Sequence, residues 1–361
     1  MRVSTVANAG AGEADDDEPF EVYRQPFTFA EAKRFVNQLR WAGWLRGECQ
    51  RGEVAMLHCG NLRPAGYPVW RAARRTGTPY LVYVNGLDLL VERYKAGRSA
   101  MKRRVSQGVF GDAAGIVANS AWTGDLAEEV MRDVGVQSPP PVARIDLGTD
   151  PACFRPDRDS GTLRARWGVG DAPLMLTVGR LARQKGQDVA IRALARLTGE
   201  LPALRYVVVG RGSDEARLRE LAVAEGVAER VIFTGALTDD EIAEAYATAT
   251  VYVGLSRMEG EFDVEGFGIA FVEAGASGVP SVAGRSGGVP SAVRHGETGI
   301  LVTPDDALSA ADAIASLLRD PARRAAMGAA ARRAVETYYN WDRVAAETEA
   351  FAARVRGTPG E

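Results

Sequence analysis

Six short runs of apolar and β-branched residues punctuate the second half of the chain at regular intervals, and four of them lead into a longer amphipathic stretch. They are PLMLTVG (173–179), RYVVVG (205–210), RVIFTG (230–235), TVYVGL (250–255), PSVAG (280–284) and GILV (299–302), with helices expected at 187–198, 213–225, 238–248 and 265–277. Runs of four to seven residues are too short for helices, and alternation with helical segments demands parallel strands with crossovers. Such a sheet must be covered on both faces, which explains why its strands read as continuous apolar runs. Ala190, Ala193, Leu194 and Leu197 recur at i, i+3, i+4 and i+7, so the helix they share has one stripe to bury. Thr238 and Glu241 form a capping-box pattern that fixes the next helix start.

The first half repeats the rhythm more loosely. FEVYR (20–24) precedes a helix over about 28–47, and VAMLH (54–58) precedes one at 67–75. YLVYV (80–84) is followed by a helix over about 89–108, and GIVANS (115–120) by one ending near 134. A Pro-rich stretch at 137–159 with one short strand breaks the pattern and reads as a linker. Helices at 305–318, 321–337 and 341–355 finish the chain. The expected class is α/β, two Rossmann-like doubly wound domains. The divisions are 1–150, 151–338 and a helical segment 339–361 that packs back on the first domain.

Composition narrows the chemistry. A length of 361 residues suits about two domains at ~150 residues each. A net charge of −3 gives no nucleic-acid signature, and no run of ~18 apolar residues marks a membrane span. Three cysteines without ligand spacing fit a reducing compartment, and two isolated histidines argue against a zinc site or a Ser-His-Asp triad.

In open α/β sheets, ligands gather at the carboxyl ends of the strands. The loop after 173–179 holds the cations Arg180 and Lys185. The loop after 250–255 places Glu265 before a Gly-Phe-Gly turn, with Glu273 seven intervening residues further on. Cations beside a glycine-bearing helix start suit a phosphorylated, hydroxyl-rich ligand. Taken singly, each feature also fits a solvated loop or an ordinary first-turn acid.

The series GRLARQKG, VVVGRG, VIFTGAL and DVEGFGIAFVEAGASGVPSVAGRSGGVP closely resembles the retaining nucleotide-sugar glycosyltransferases of GT-B fold, glycosyltransferase family 4-like and similar to bacterial mannosyltransferases. Glu265 and Glu273 match that family's Glu-x7-Glu motif. The resemblance is strong over 140–345 and weaker before. It implies that Arg180 and Lys185 bind the donor diphosphate, and that Glu273 binds the ribose. Glu265, with Gly266, Phe267 and Gly268, would hold the sugar, while Gly210, Gly212, Gly235 and Leu237 frame the base. Asn85 and Asp88 would face the acceptor or the sugar; Asn85 stands where many relatives carry His. No metal and no cofactor is implied beyond the donor. The resemblance also implies front-face transfer with retention, in which the leaving phosphate assists deprotonation of the acceptor hydroxyl.

Two further expectations concern the first half. VSTVANAGAGEADDDEP either contains a first strand at Val3–Val6 followed by a lost helix, or the first βα unit is missing; the second alternative is the preferred one. Arg93, Lys95, Arg98, Lys102, Arg103 and Arg104 make a basic helix that suits peripheral contact with an anionic membrane as well as simple solvation. The expected location is cytoplasmic, at the inner membrane face for a lipid acceptor. Rival readings are a catalytically inactive sugar-nucleotide-binding subunit and a GT-B phosphorylase or epimerase.

Overall fold

Every strand of the computed structural model, which describes residues 2–7, 21–52 and 54–356, runs parallel to its neighbours. The first six are β1 (Arg2–Ala7), β2 (Glu21–Thr28), β3 (Leu57–Cys59), β4 (Tyr80–Val84), β5 (Gly115–Ala118) and β6 (Val142–Arg144). The second six are β7 (Leu174–Val178), β8 (Arg205–Val209), β9 (Val231–Gly235), β10 (Val251–Gly254), β11 (Ser281–Gly284) and β12 (Gly299–Val302). The chain divides into two units. Unit 1 holds Met1–Ala118, Gly124–Arg144 and Glu349–Glu361; unit 2 holds Asn119–Thr123 and Ile145–Thr348.

Unit 2 is a single six-stranded sheet in the order β12-β11-β10-β7-β8-β9. Its side chains alternate between two cores, as the two-residue period of a strand requires. Met175, Tyr206, Val208, Val253 and Val282 face one core with the helices Gln187–Leu197 and Ala307–Arg319. Leu174, Leu176, Val207, Val209 and Tyr252 face the other with the helices Asp239–Thr248, Ile269–Ala276 and Pro321–Thr337. Thr238 and Glu241 form the expected capping box.

Unit 1 contains a four-stranded sheet, β3-β4-β5-β6, and a separate pair, β1-β2. Val3–Val6 lies in a strand, β1, which pairs with β2 among the described residues; the glycine and acidic segment 8–20 lies outside the described residues. The ring of Phe351, from the last turns of the helix Trp341–Arg356, packs over Gly115 in β5.

Four elements depart from the sequence expectations. The helix expected over 28–47 starts at Phe35, preceded by a 3-10 turn at Glu31–Lys33. The basic helix over 89–108 is two helices, Leu87–Gly97 and Ala100–Gly111, because the Ser99 side chain caps a new start by accepting from the Lys102 N–H. A short helix, Thr162–Trp167, follows the linker. The helix expected at 265–277 begins only at Ile269, because Gly268 has a left-handed φ of 99°.

Candidate functional site

The sheet order of unit 2 reverses direction between β7 and β10: chain order runs outward through β8 and β9 on one side and through β11 and β12 on the other. The loops leaving the carboxyl ends of those two neighbours diverge and frame a crevice, the switch point of a doubly wound sheet. Lys185 ends the 3-10 turn Arg183–Lys185 after β7, and Glu265 lies in the long loop after β10. Lys185 Nζ donates to Glu265 Oε2 across the crevice at 2.5 Å. The following residue permits this closeness. Gly186 has φ 69°, and a Cβ there would lie 2.0 Å from the Leu255 carbonyl oxygen. Arg180 sits immediately after β7 with an exposed side chain that has no hydrogen-bond or ion-pair partner among the described residues. Its carbonyl accepts from Gln187 Nε2 at 3.1 Å.

Residues 265–268 are held from behind. The Glu265 carbonyl accepts from the Gly288 N–H at 2.8 Å, and the Gly266 carbonyl accepts from Thr123 Oγ1 at 3.3 Å. Phe267 turns its ring into the core, 6.2 Å from that of Tyr339. The N–H groups of Gly266, Phe267 and Gly268 make no hydrogen bond among the described residues, which leaves them as donors at a helix start.

Glu273 points to a different neighbour. It accepts a hydrogen bond from the Tyr246 hydroxyl at 2.7 Å. Burial raises the Glu273 carboxyl above its ordinary range, and the Tyr246 bond offsets this in part. Burial, with Glu273 beside it, likewise pushes the Tyr246 phenol well up. A carboxylate in this setting has acceptor capacity left for ligand hydroxyls.

The remaining strand ends close the rim. Gly210 donates its N–H to the Gly235 carbonyl at 2.8 Å, Leu181 donates to Arg211 at 3.0 Å, and Gly212 lies against Leu181. Leu237 packs at the edge of the core beside this rim. Behind the crevice, Arg257 ties the β10 loop to the helix start after β7. It contacts Asp188 with both terminal nitrogens, at 2.9 and 3.2 Å, and its N–H donates to the Gln184 carbonyl at 2.9 Å.

Asn85 and Asp88 belong to unit 1, at the carboxyl end of β4, while the other sequence-derived candidates belong to unit 2. The Asn85 N–H donates to Asp88 Oδ1 at 2.9 Å, and burial raises the Asp88 carboxyl despite its backbone donors. Among the described residues no three His, Cys, Asp or Glu side chains converge as metal ligands would.

Sequence reasoning did not single out Tyr246, Thr123, Gly288, Asp188 or Arg257. Arg257 carried a weak signal, as a cation directly after a strand at a loop already suspected. Tyr246 carried none, because it looks like any core aromatic on an amphipathic helix.

Fold and crevice together define a two-unit α/β protein with a nucleotide-type ligand crevice at the switch point of unit 2. The sequence profile described as "Glycosyl transferases group 1" matches residues 159–334. A D-inositol 3-phosphate glycosyltransferase of Rhodococcus opacus (strain B4) is 33% identical over 322 residues, 84% of this chain and 68% of that protein. This chain belongs to the group 1 glycosyltransferase family. A GDP-mannose-dependent alpha-(1-6)-phosphatidylinositol monomannoside mannosyltransferase of Mycobacterium tuberculosis (strain ATCC 25618 / H37Rv) is 41% identical over 206 residues, 56% of this chain and 54% of that enzyme. The match thus spans about half the length of that relative. Among solved structures, HepE of Anabaena in complex with UDP superposes with a TM-score of 0.78 at 20% identity, covering 98% of this chain and 92% of that one. Sucrose-phosphate synthase from Thermosynechococcus elongatus gives 0.74 at 24%, covering 92% and 83%. These likenesses establish the GT-B fold.

Proposed function

We propose that this chain is a retaining, metal-independent hexosyltransferase that moves mannose from GDP-mannose to a hydroxyl of an inositol-bearing acceptor. The observation that carries the reading is the Lys185–Glu265 pair across the switch point, with Arg180 unpaired beside the same loop. Arg180 and Lys185 neutralise the donor diphosphate. Charge developing on the leaving phosphate then meets preorganised cations and the free N–H groups of 266–268. As the diphosphate takes up Lys185, Glu265 is released to accept from sugar hydroxyls. Glu273 takes the ribose, and the rim at Gly210, Gly212, Gly235 and Leu237 frames the base. Asn85 and Asp88 serve the acceptor side.

Mannose and guanine are favoured over a UDP-sugar by the names of the 41% identical relatives, and inositol is common to those names and to the D-inositol 3-phosphate glycosyltransferases. Peripheral contact with the cytoplasmic face of an anionic membrane is part of the proposal. Met101 is 79% exposed and is followed directly by the exposed Lys102, Arg103 and Arg104. An apolar tip among cations suits a headgroup layer. Among the described residues no helix is long and apolar enough to cross a membrane.

The test is incubation with radiolabelled GDP-mannose and UDP-glucose, without metal, against inositol 3-phosphate and phosphatidylinositol monomannoside. Transfer from GDP-mannose with the anomeric configuration kept is expected. Binding without transfer or hydrolysis would favour the inactive-subunit reading.

A further inference from the structure

Arg211 stands in the turn between β8 and the helix Glu215–Ala224, flanked by the rim glycines Gly210 and Gly212. Both glycines are required by the packing of backbone on backbone. A Cβ at Gly210 would lie 2.0 Å from the Gly179 carbonyl oxygen, and one at Gly212 would lie 2.0 Å from that of Leu181. Between them the Arg211 carbonyl accepts from the Leu181 N–H at 3.0 Å. The turn is thus pressed onto the loop that carries Arg180, and the Arg211 side chain leaves from a fixed point.

That side chain is exposed and makes no hydrogen bond or ion pair among the described residues. The cations on the following helix are committed. Arg217 holds both oxygens of Asp214 at 2.6 Å each, while Arg219 donates to Glu215 at 2.8 Å and lies 4.4 Å from the centre of the Phe233 ring. Asp214, the acid nearest to Arg211 in sequence, is therefore taken. The Arg211 guanidinium reaches the end of β9 instead: its Nε lies 3.7 Å from the place a Cβ would occupy at Gly235. The missing side chain there leaves the space beside the fork open.

We propose that Arg211 selects the base of the donor, its guanidinium donating to N7 and O6 of guanine. The inference rests on the nucleotide-sugar reading above, which sets the base at Gly235 and Leu237. Guanine presents N7 and O6 as adjacent acceptors, and two N–H groups of a planar fork match them. Adenine has an amino donor in the place of O6, and the corresponding edge of uracil offers O4 alone. Either base leaves one guanidinium donor unmet. An ammonium at this position would supply the charge without the shape requirement.

The test is calorimetric titration of wild type, Arg211→Ala and Arg211→Lys with GDP, UDP and 7-deaza-GDP, in which a C–H replaces N7. Arg211 is exposed and its backbone bond to Leu181 survives substitution, so Tm should stay within about 2 °C of wild type. Wild type should bind GDP at least about tenfold more tightly than UDP, the scale of one bidentate base contact. Loss of N7 should cost wild type about fivefold, as one hydrogen bond does. Both variants should bind GDP about tenfold more weakly, keep UDP affinity within about twofold, and show no further loss with 7-deaza-GDP, the non-additivity expected of two groups in contact. The proposal is overturned if the variants weaken GDP and UDP equally, if Arg211→Lys keeps the wild-type preference, or if the 7-deaza change costs the same with and without Arg211. A wild-type protein that binds neither GDP nor UDP would instead overturn the donor reading, and base selection with it.

Discussion

Lys185 Nζ lies 2.5 Å from Glu265 Oε2, joining the loops that leave two adjacent, oppositely wound strands. Their side chains are 30% and 19% exposed, so the pair is neither a screened surface contact nor a buried structural bridge. It holds a cation and an acceptor at the crevice, where a diphosphate can displace one from the other.

Removing either cation should therefore impair chemistry more than folding. Lys185→Ala and Arg180→Ala are expected to lower kcat for transfer from GDP-mannose by at least about 100-fold, the scale seen when one charge-stabilising donor is lost. Tm by circular dichroism should fall by no more than about 4 °C. Turnover near the wild-type level in either variant would remove that residue from the phosphate site.

If Glu273 takes the ribose as proposed, nucleotide binding should depend on pH. Its folded pKa is raised by burial, so the group favours folding below the unfolded pKa, and that contribution is lost as pH rises through the folded value. In the proposed site the ribose hydroxyls would donate to the ionised carboxylate, so GDP affinity should fall as pH drops through the raised value. Glu273→Gln should bind GDP more weakly, without that pH dependence, and should be at least as stable as wild type at neutral pH. Calorimetric titration across a pH series measures the first two and urea unfolding the third; a wild-type affinity that did not weaken with acidification, or that matched the Glu273→Gln profile, would contradict the ribose assignment.

Asp188 shows the opposite sign. Burial pushes its carboxyl up, but the bond from Arg257 and the charges of Arg257, Arg217 and Arg192 outweigh that and bring it below the ordinary range. Its contribution is present above the unfolded pKa of about 3.9 and disappears as pH falls through the folded value. Asp188→Ala leaves Arg257, only 12% exposed, without its main partner, and should cost about 3 kcal/mol in urea unfolding at neutral pH. The deficit should shrink in acid. Arg257 Nε also lies 3.2 Å from Glu259 Oε2 and 3.4 Å from Asp305 Oδ1, so equal stability of the two proteins at neutral pH would show that these two carboxylates satisfy Arg257 alone.

What the sequence made legible was local. Apolar runs located the strands of unit 2 to within about a residue, because a strand buried on both faces tolerates little else. Thr238 and Glu241 announced their cap for a similar reason, being three residues apart. The pairs behind the crevice are not local: Asp188 and Arg257 are 69 residues apart, and Tyr246 and Glu273 are 27 apart. Nothing in either neighbourhood encodes the other. The helix start was misplaced for a subtler reason. Glu265 and Gly266 look like a first turn, but their carbonyls are committed to Gly288 and to Thr123 of the helix Ala121–Val134, both remote in sequence.

Gly288 supplies the test of that commitment. Its φ of −81° suits any residue, so the constraint on it is space rather than backbone freedom. A Cβ would lie 1.8 Å from the Gly266 carbonyl oxygen and 2.8 Å from Ser120 Oγ. Backbone is what it meets, so Gly288→Ala must push residues 265–268 away and with them the N–H groups proposed to meet the donor. An expected shift of about 1 Å in a positioned group costs on the order of 100-fold in kcat/KM. Gly199→Ala is the control, since a Cβ there has nothing within 4 Å. If Gly288→Ala transfers mannose as well as the Gly199→Ala protein, the 265–268 loop does not position the donor, and the helix-start donors lose their place in the mechanism.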